Sequence, residues 1–267
     1  MDFDAFERAN WPGRAEAYDR GFARLTAHTV EPLLNSTRVG PRTRLLDIGC
    51  GPGPVTAAAL ELGAQVTSAD ADLDMLEVVA RRHPHTHVQL ATLPELPFPD
   101  EEFDAVVGNY VINHTGNPPA AIEELYRVLR PGGRIALTCW RYPDMRANKV
   151  FSEAVQAAEV GQPDDVPAAQ PFGVYAEPKA FAGLLGAAGF AGAGADTLRW
   201  EHTVDPGAWW DDVVAGTACN GAVINRQDPS TVAKIRAEYD RIIATFPVGE
   251  DGRVTLPACA LLAHGTR

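Results

Sequence analysis

The chain has 267 residues, 46% of them apolar, and a formal net charge of −12 from 23 Lys and Arg against 35 Asp and Glu. That length and apolar content suffice for one large buried core with room for an insertion. The acidic balance argues against a nucleic-acid partner, whose phosphates must be neutralised by Lys and Arg. No run of about 18 uncharged apolar residues is present to span a membrane. The start, Met1-Asp2-Phe3-Asp4, is acidic and lacks a basic-then-apolar leader pattern, so a cytoplasmic location is expected. Cys50, Cys139, Cys219 and Cys259 are scattered without metal-ligand spacing and read as reduced thiols.

In chain order, residues 1–40 read as a helical cap. Its amphipathic helix, Gly13 to Leu34 with a break at Pro32, places Tyr18, Phe22 and Leu25 on one side. Leu45-Leu46-Asp47-Ile48-Gly49-Cys50-Gly51-Pro52-Gly53 then reads as a buried strand that breaks into a glycine turn, and Pro54 opens a helix. A strand, a glycine turn and a helix start form a nucleotide-type site, because the first helical N–H groups are free and Gly admits close approach. The dinucleotide fingerprint needs Gly at the sixth position of G-x-G-x-x-G, which here is Pro54. Asp47 opposes a pyrophosphate and suits a cationic, amino-acid-bearing ligand. No Lys-Ser/Thr pair follows, so the turn is not a triphosphate loop.

Gln65 to Asp70 is a second strand ending in an acid, which suits two ribose hydroxyls. Ala71-Asp72-Leu73-Asp74-Met75-Leu76 starts a capped helix, and His87 to Ala91 and Ala105 to Asn109 are the third and fourth strands. Ala121 to Leu129 is a helix stopped by Pro131-Gly132-Gly133, and Arg134 to Trp140 is the fifth strand. Beyond it come helices at 150–160 and 178–185, a strand at 196–204, a helix at 205–218 carrying Trp209 and Trp210, and a helix from 228 to 243. The last strand, at 253–264, is expected to be antiparallel. His83-Pro84-His85-Thr86-His87 has a metal-tract look but no supporting carboxylates, so no metal is assigned.

The set Asp47-x-Gly49-x-Gly51-x-Gly53, Asp70, Leu96-Pro97-Phe98-Pro99-Asp100-Glu101-Glu102-Phe103-Asp104 and Arg127-Val128-Leu129-Arg130-Pro131-Gly132-Gly133 resembles the class I S-adenosylmethionine-dependent methyltransferases, in the type 11 group acting on small molecules. The resemblance is close over residues 41–140 and topological elsewhere. It implies an α/β fold: a doubly wound, seven-stranded, mostly parallel sheet with an antiparallel last strand. One domain over 1–267 is expected, with the cap at 1–40, a cofactor-binding half at 41–140 and a variable acceptor-side region at 141–267. A lid insertion near 205–227 would precede the last helix.

The resemblance implies S-adenosyl-L-methionine as cofactor. Asp47 and the backbone of Gly49, Gly51 and Gly53 would hold its methionine end and Asp70 its ribose. Ala71, Met75, the Leu93 N–H and Thr92 (where the family often has Asp) would take the adenine, with Asn109 and Tyr18 also on the cofactor. Tyr110, Asn113, Trp209 and Trp210 are the candidate acceptor contacts, and His114 is the candidate catalytic base. Tyr18 could instead pack the cap helix, His114 could serve its own loop, and the tryptophans could be core. The expected partner is a small-molecule methyl acceptor such as a specialised metabolite, methylated on O, N or C. No nucleic acid or membrane is expected, and the protein is a monomer or homodimer. A NAD-dependent oxidoreductase and a non-catalytic cofactor-binding module are the alternatives.

Overall fold

The computed structural model describes residues 2–142 and 144–267. Four short helices come first: α1 (Phe3–Asn10), α2 (Ala15–Arg20), α3 (Phe22–Thr26) and α4 (Val30–Thr37). Strands and helices then alternate: β1 (Arg44–Ile48), α5 (Pro54–Glu61), β2 (Gln65–Asp70), α6 (Leu73–Arg82), β3 (His87–Leu90), β4 (Phe103–Asn109), α7 (Pro118–Val128) and β5 (Leu129–Trp140). The remainder comprises α8 (Arg146–Ala157), α9 (Pro178–Ala187), β6 (Ala191–Val204), α10 (Pro206–Gly216), α11 (Ala218–Asn225), α12 (Pro229–Ile243) and β7 (Val254–Thr266).

The strands form one sheet in the order β3-β2-β1-β4-β5-β7-β6. β1 runs parallel to β2 and β4, β2 to β3 and β4 to β5, whereas β7 is antiparallel to β5. The expected mostly parallel, seven-stranded sheet with an antiparallel last strand is therefore the one observed. Chain order reverses between β1 and β4, and in open α/β sheets ligands bind at the carboxyl ends of strands flanking such a switch.

The chain packs as two compact units, the larger comprising 26–140, 169–198 and 260–267 and the smaller 2–25, 141–168 and 199–259. In the larger unit Leu46, Ile48, Val106 and Leu137 face a core with Ile122, Leu125 and Phe181. Leu45, Val66, Ala105 and Val107 belong to a second core cluster with Leu33, Leu34, Val55 and Ala59. Burial on both faces explains why Leu45, Leu46 and Ile48 of β1 show no apolar–polar alternation.

In the smaller unit an aromatic cluster dominates. Phe22 stacks on Trp209 with centroids 5.7 Å apart, and Phe151 lies 5.9 Å from Trp210 and 5.1 Å from Tyr239. The Trp209 indole N–H donates to the Ala147 carbonyl at 3.0 Å, and the Tyr239 hydroxyl donates to the Pro206 carbonyl at 2.8 Å.

Several element boundaries differ from the sequence reading. The fifth strand, expected from Arg134, starts at Leu129 and runs through Pro131-Gly132-Gly133, the extra residues being taken up by an irregularity in its pairing with β4. The single helix expected over 13–34 is divided, its first break falling at Gly21, where an added Cβ would lie 2.3 Å from the Asp212 Cβ. Pro32 does not break the chain, because it sits in the first turn of α4, where its missing N–H forfeits little. The helix expected over 205–218 stops at Gly216, and extended Thr217 separates α10 from α11. β6 starts at Ala191 rather than 196: Gly194 is accommodated in the strand because a Cβ there would press within 3.0 Å of the His264 ring.

The same kind of close approach joins α10 to α2. A Cβ on Gly216 would lie 2.6 Å from the Tyr18 nitrogen and 2.9 Å from the Ala17 carbonyl carbon, both backbone atoms. Gly216→Ala should therefore destabilise the protein by about 1–3 kcal/mol. Gly183→Ala, at an exposed position of helix α9 with nothing within 4 Å of the new Cβ, should stabilise it by about 0.5–1 kcal/mol. Denaturant unfolding of both variants checks the contrast.

Candidate active site

At the carboxyl ends of β1 and β2 the chain brings a glycine turn against two carboxylates. Gly49, Gly51 and Gly53 all have left-handed φ values, +66°, +54° and +91°. The turn is fastened to β2 by the Gly49 and Cys50 N–H groups, which donate to the Ala69 carbonyl at 2.8 and 3.1 Å. Gly49 has a second constraint, because its Cβ would fall 2.4 Å from a Val111 methyl. Gly53 then caps α5 without a side chain, and Pro54 fills the first turn.

Asp70, at the tip of β2, closes this arrangement. Its Oδ2 accepts the Gly51 N–H at 2.8 Å and its Oδ1 accepts the Asp72 N–H at 3.0 Å. Each oxygen keeps acceptor capacity for a further donor. Burial raises its proton affinity, backbone N–H groups of Gly51, Asp72 and Ala71 oppose that shift, and the Asp72 charge adds to it.

Asp47 differs in placement. It is completely buried, on the β1 face that it shares with Leu45, and pairs in register with Ser68 and Val107. Its Oδ2 accepts the Thr56 hydroxyl at 2.7 Å, and its Oδ1 has no hydrogen-bond partner. Burial pushes its pKa up to about 7, with the Thr56 hydroxyl opposing and the Asp70 charge adding to the rise. A buried, underbonded carboxylate without a cation beside it suits a positively charged ligand at the adjoining turn. With the glycine cradle and the half-bonded Asp70, these residues fit an amino-acid-bearing nucleoside.

Residues 46–137 match the family described as Methyltransferase domain. A malonyl-acyl-carrier-protein O-methyltransferase of Salmonella typhimurium is 36% identical over 126 residues, which is 47% of this chain and 50% of that protein. A demethylmenaquinone methyltransferase of Symbiobacterium thermophilum is 30% identical over 164 residues, 58% of each chain. Over residues 46–137 this chain is therefore similar to methyltransferases. It spans about half the length of the first curated relative it matches. The solved YcgJ protein of Bacillus subtilis shares the fold, with a TM-score of 0.57 and 21% identity over 90% of this chain and 98% of that one. The cyclase SpnF shares it too, with a TM-score of 0.52 and 19% identity over 90% and 80%.

The other candidate residues of the larger unit follow β2, β3 and β4. Met75 is buried in the first turn of α6, its N–H held by the Asp72 carboxylate at 3.1 Å, and Ala71 is exposed. Thr92 is exposed and Leu93 buried, and the Thr92 carbonyl accepts the Glu95 N–H at 3.1 Å. Asn109 ends β4 with its amide engaged: Oδ1 accepts the Thr29 and Thr138 hydroxyls, both at 2.7 Å, and Nδ2 donates to the Thr26 carbonyl at 3.1 Å.

Tyr110 follows with φ +66°, a strained position for a bulky residue, and stacks on Trp140 with centroids 3.7 Å apart. In the next 3-10 turn, Val111–His114, Asn113 is buried with its Nδ2 lacking a partner, and His114 is half-buried. Tyr18, Trp209 and Trp210 belong to the smaller unit. Tyr18 is half-buried, 5.7 Å from Trp11 and 5.8 Å from Phe22, and the two adjacent tryptophans are buried in the aromatic cluster. Thr56, Ser68, Thr29 and Thr138 were not singled out from the sequence. Isolated hydroxyls in apolar elements were the available signal, but only strand register shows which carboxylate or amide they reach.

The Asp47 shift has a consequence for stability. Its folded pKa, about 7, lies above the ordinary carboxylate value of 3.8, so the folded state holds this proton more tightly than the unfolded chain. Stability should therefore fall as pH rises through that window, by on the order of a few kcal/mol from this group, with Asp70 acting in the same direction. Asp47→Asn should flatten the fall. Calorimetric unfolding of both proteins between pH 5 and 8 checks it, and equal slopes would contradict the assignment.

Proposed function

We propose that this protein transfers a methyl group from S-adenosylmethionine to an O, N or C nucleophile of a small molecule. The observation that carries the reading is the Asp70 carboxylate, tied to Gly51 and Asp72 by one N–H per oxygen, at the open ends of β1 and β2. When bound, the cofactor supplies a methyl group already activated by its sulfonium. The chain's remaining work is to position the nucleophile in line, which can contribute roughly 7–11 kcal/mol, and to remove a proton where the nucleophile carries one.

In this reading Asp70 accepts the ribose hydroxyls, and Gly49, Gly51 and Gly53 give the methionine end access to backbone. Asp47 supplies negative potential beneath the turn. Ala71, Met75, Thr92 and the Leu93 N–H border the adenine. Asn109 shapes the end of β4 through its bonds to Thr29 and Thr138. Tyr110 and Asn113 contact the acceptor, and His114 takes its proton. The match to malonyl-acyl-carrier-protein methyltransferases supports a second acceptor class, a carboxylate tethered to a carrier protein. Initial rates with a malonyl-loaded carrier protein and with the free thioester distinguish the two.

Asp70→Ala should weaken S-adenosylhomocysteine binding roughly 10- to 100-fold, as expected for losing bonds to a charged group. Normal affinity in titration calorimetry would refute the ribose assignment. His114→Ala should lower kcat by about 10²–10⁴ and leave cofactor affinity unchanged. Unaltered turnover would remove His114 as the base.

A further inference from the structure

Thr56 stands at the third position of α5, over the face of the sheet where Asp47 is buried. Its Oγ1 is 2.7 Å from Asp47 Oδ2 and also 2.7 Å from the Ser68 hydroxyl. Ser68 is fully buried and lies opposite Asp47 in the β1–β2 register. Three groups thus form a buried chain of two short hydrogen bonds.

The chain has two self-consistent polarities. With Asp47 ionised, Thr56 donates to the carboxylate and Ser68 donates to Thr56. With Asp47 protonated on Oδ2, the carboxyl donates to Thr56 and Thr56 donates to Ser68. Rotating two hydroxyls converts one state to the other without moving a heavy atom. A cation in place of Thr56, having donors only, would satisfy only one of them.

The surroundings leave the choice to a ligand. From β2, Asp70 faces Asp47 with a like charge, and Asp72 stands beside Asp70. From the turn, Cys50 is a buried thiol held neutral by burial and by both carboxylates. From β4 the register partner of Asp47 is apolar Val107, within an apolar cluster that includes Ala105, Val30, Leu33 and Leu34. Among the described residues no Lys, Arg or His pairs with Asp47. A cation added at the turn would tip the chain toward the anion.

We propose that Thr56 is a positioning residue of the cofactor site, and that the Asp47–Thr56–Ser68 chain is a reversible relay coupling occupancy of the glycine turn by a cationic cofactor to loss of one proton from Asp47. The proton passes to solvent and no other bond is made or broken. The inference rests on the cofactor reading above and adds a residue and a linkage to it. The proximity of the Asp47 titration to neutrality makes the coupling measurable in the physiological range.

The test is S-adenosylmethionine affinity from pH 6 to 9 for the wild type, Thr56→Val, Thr56→Ser and Ser68→Ala. Wild-type affinity should rise with pH through about 7. Thr56→Val removes the bond to the anion, so Asp47 should hold its proton to higher pH. Its affinity should be about tenfold lower near pH 6.5 and converge with wild type by about pH 9, a displacement of about one pH unit. Thr56→Ser should restore the wild-type curve, and Ser68→Ala should shift it in the same direction by less. The ligand's own amine titrates alike in every experiment, so the ratio between variants isolates the protein's group. A wild-type affinity independent of pH, or a Thr56→Val loss of equal size at every pH, overturns this inference alone. Absence of wild-type binding at every pH overturns the cofactor reading and the inference with it.

Discussion

Two carboxylates, which pair with no cation among the described residues, organise the carboxyl end of β1 and β2. Asp47 is buried in apolar surroundings and Asp70 sits at the tip of the neighbouring strand, and burial raises the proton affinity of both. Their fixed partners are hydroxyls and backbone N–H groups, which orient the oxygens without cancelling the charge. The turn between them can hold its shape because glycines occupy the left-handed positions, and Gly49 in addition lets Val111 close over it. The strand order, the glycine spacing and the acid at the tip of β2 together place the turn and both carboxylates at the carboxyl ends of β1 and β2.

The end of β4 in the larger unit is built differently. Asn109 has its side-chain amide engaged by Thr26, Thr29 and Thr138, so the end of β4 is held from two sides before the chain turns. Tyr110 then accepts a left-handed backbone while its ring lies against Trp140. Strain of this kind persists only where the surroundings over-determine it, and such places cluster at functional sites. The Val111–His114 turn follows directly and carries Asn113 and His114.

Much of this was legible in the sequence because the decisive residues are adjacent in it. Asp47 and the glycines lie within seven positions, Asp70 ends the next strand, and the alternation of strand and helix prescribes their order in the sheet. The direction of the Asp47 side chain was not legible. β1 is buried on both faces, so its pattern carries no alternation that separates the ligand side from the core side. Thr56 and Ser68 are unremarkable within their own elements, and their meeting depends on register and on the placement of α5. The helix breaks at Gly21 and Thr217 escaped for a related reason. Gly21 packs against Asp212, far away in sequence, and Thr217 is extended between two segments that both favour helix. The aromatic residues of the smaller unit were recognisable as a group, but whether Trp209 and Trp210 line a cavity or fill a core is decided by packing. In the structure both are buried against Phe151 and their neighbours.

The central claim is that the turn and its two carboxylates bind S-adenosylmethionine and its demethylated product. Thermal unfolding of the whole chain with increasing S-adenosylhomocysteine, run beside an equal series with NAD, tests it most directly. The account predicts a saturable rise in Tm with S-adenosylhomocysteine, following the mass-action dependence of a ligand that binds only the folded state, and no rise with NAD. Stabilisation by NAD alone, or by neither ligand, would contradict it.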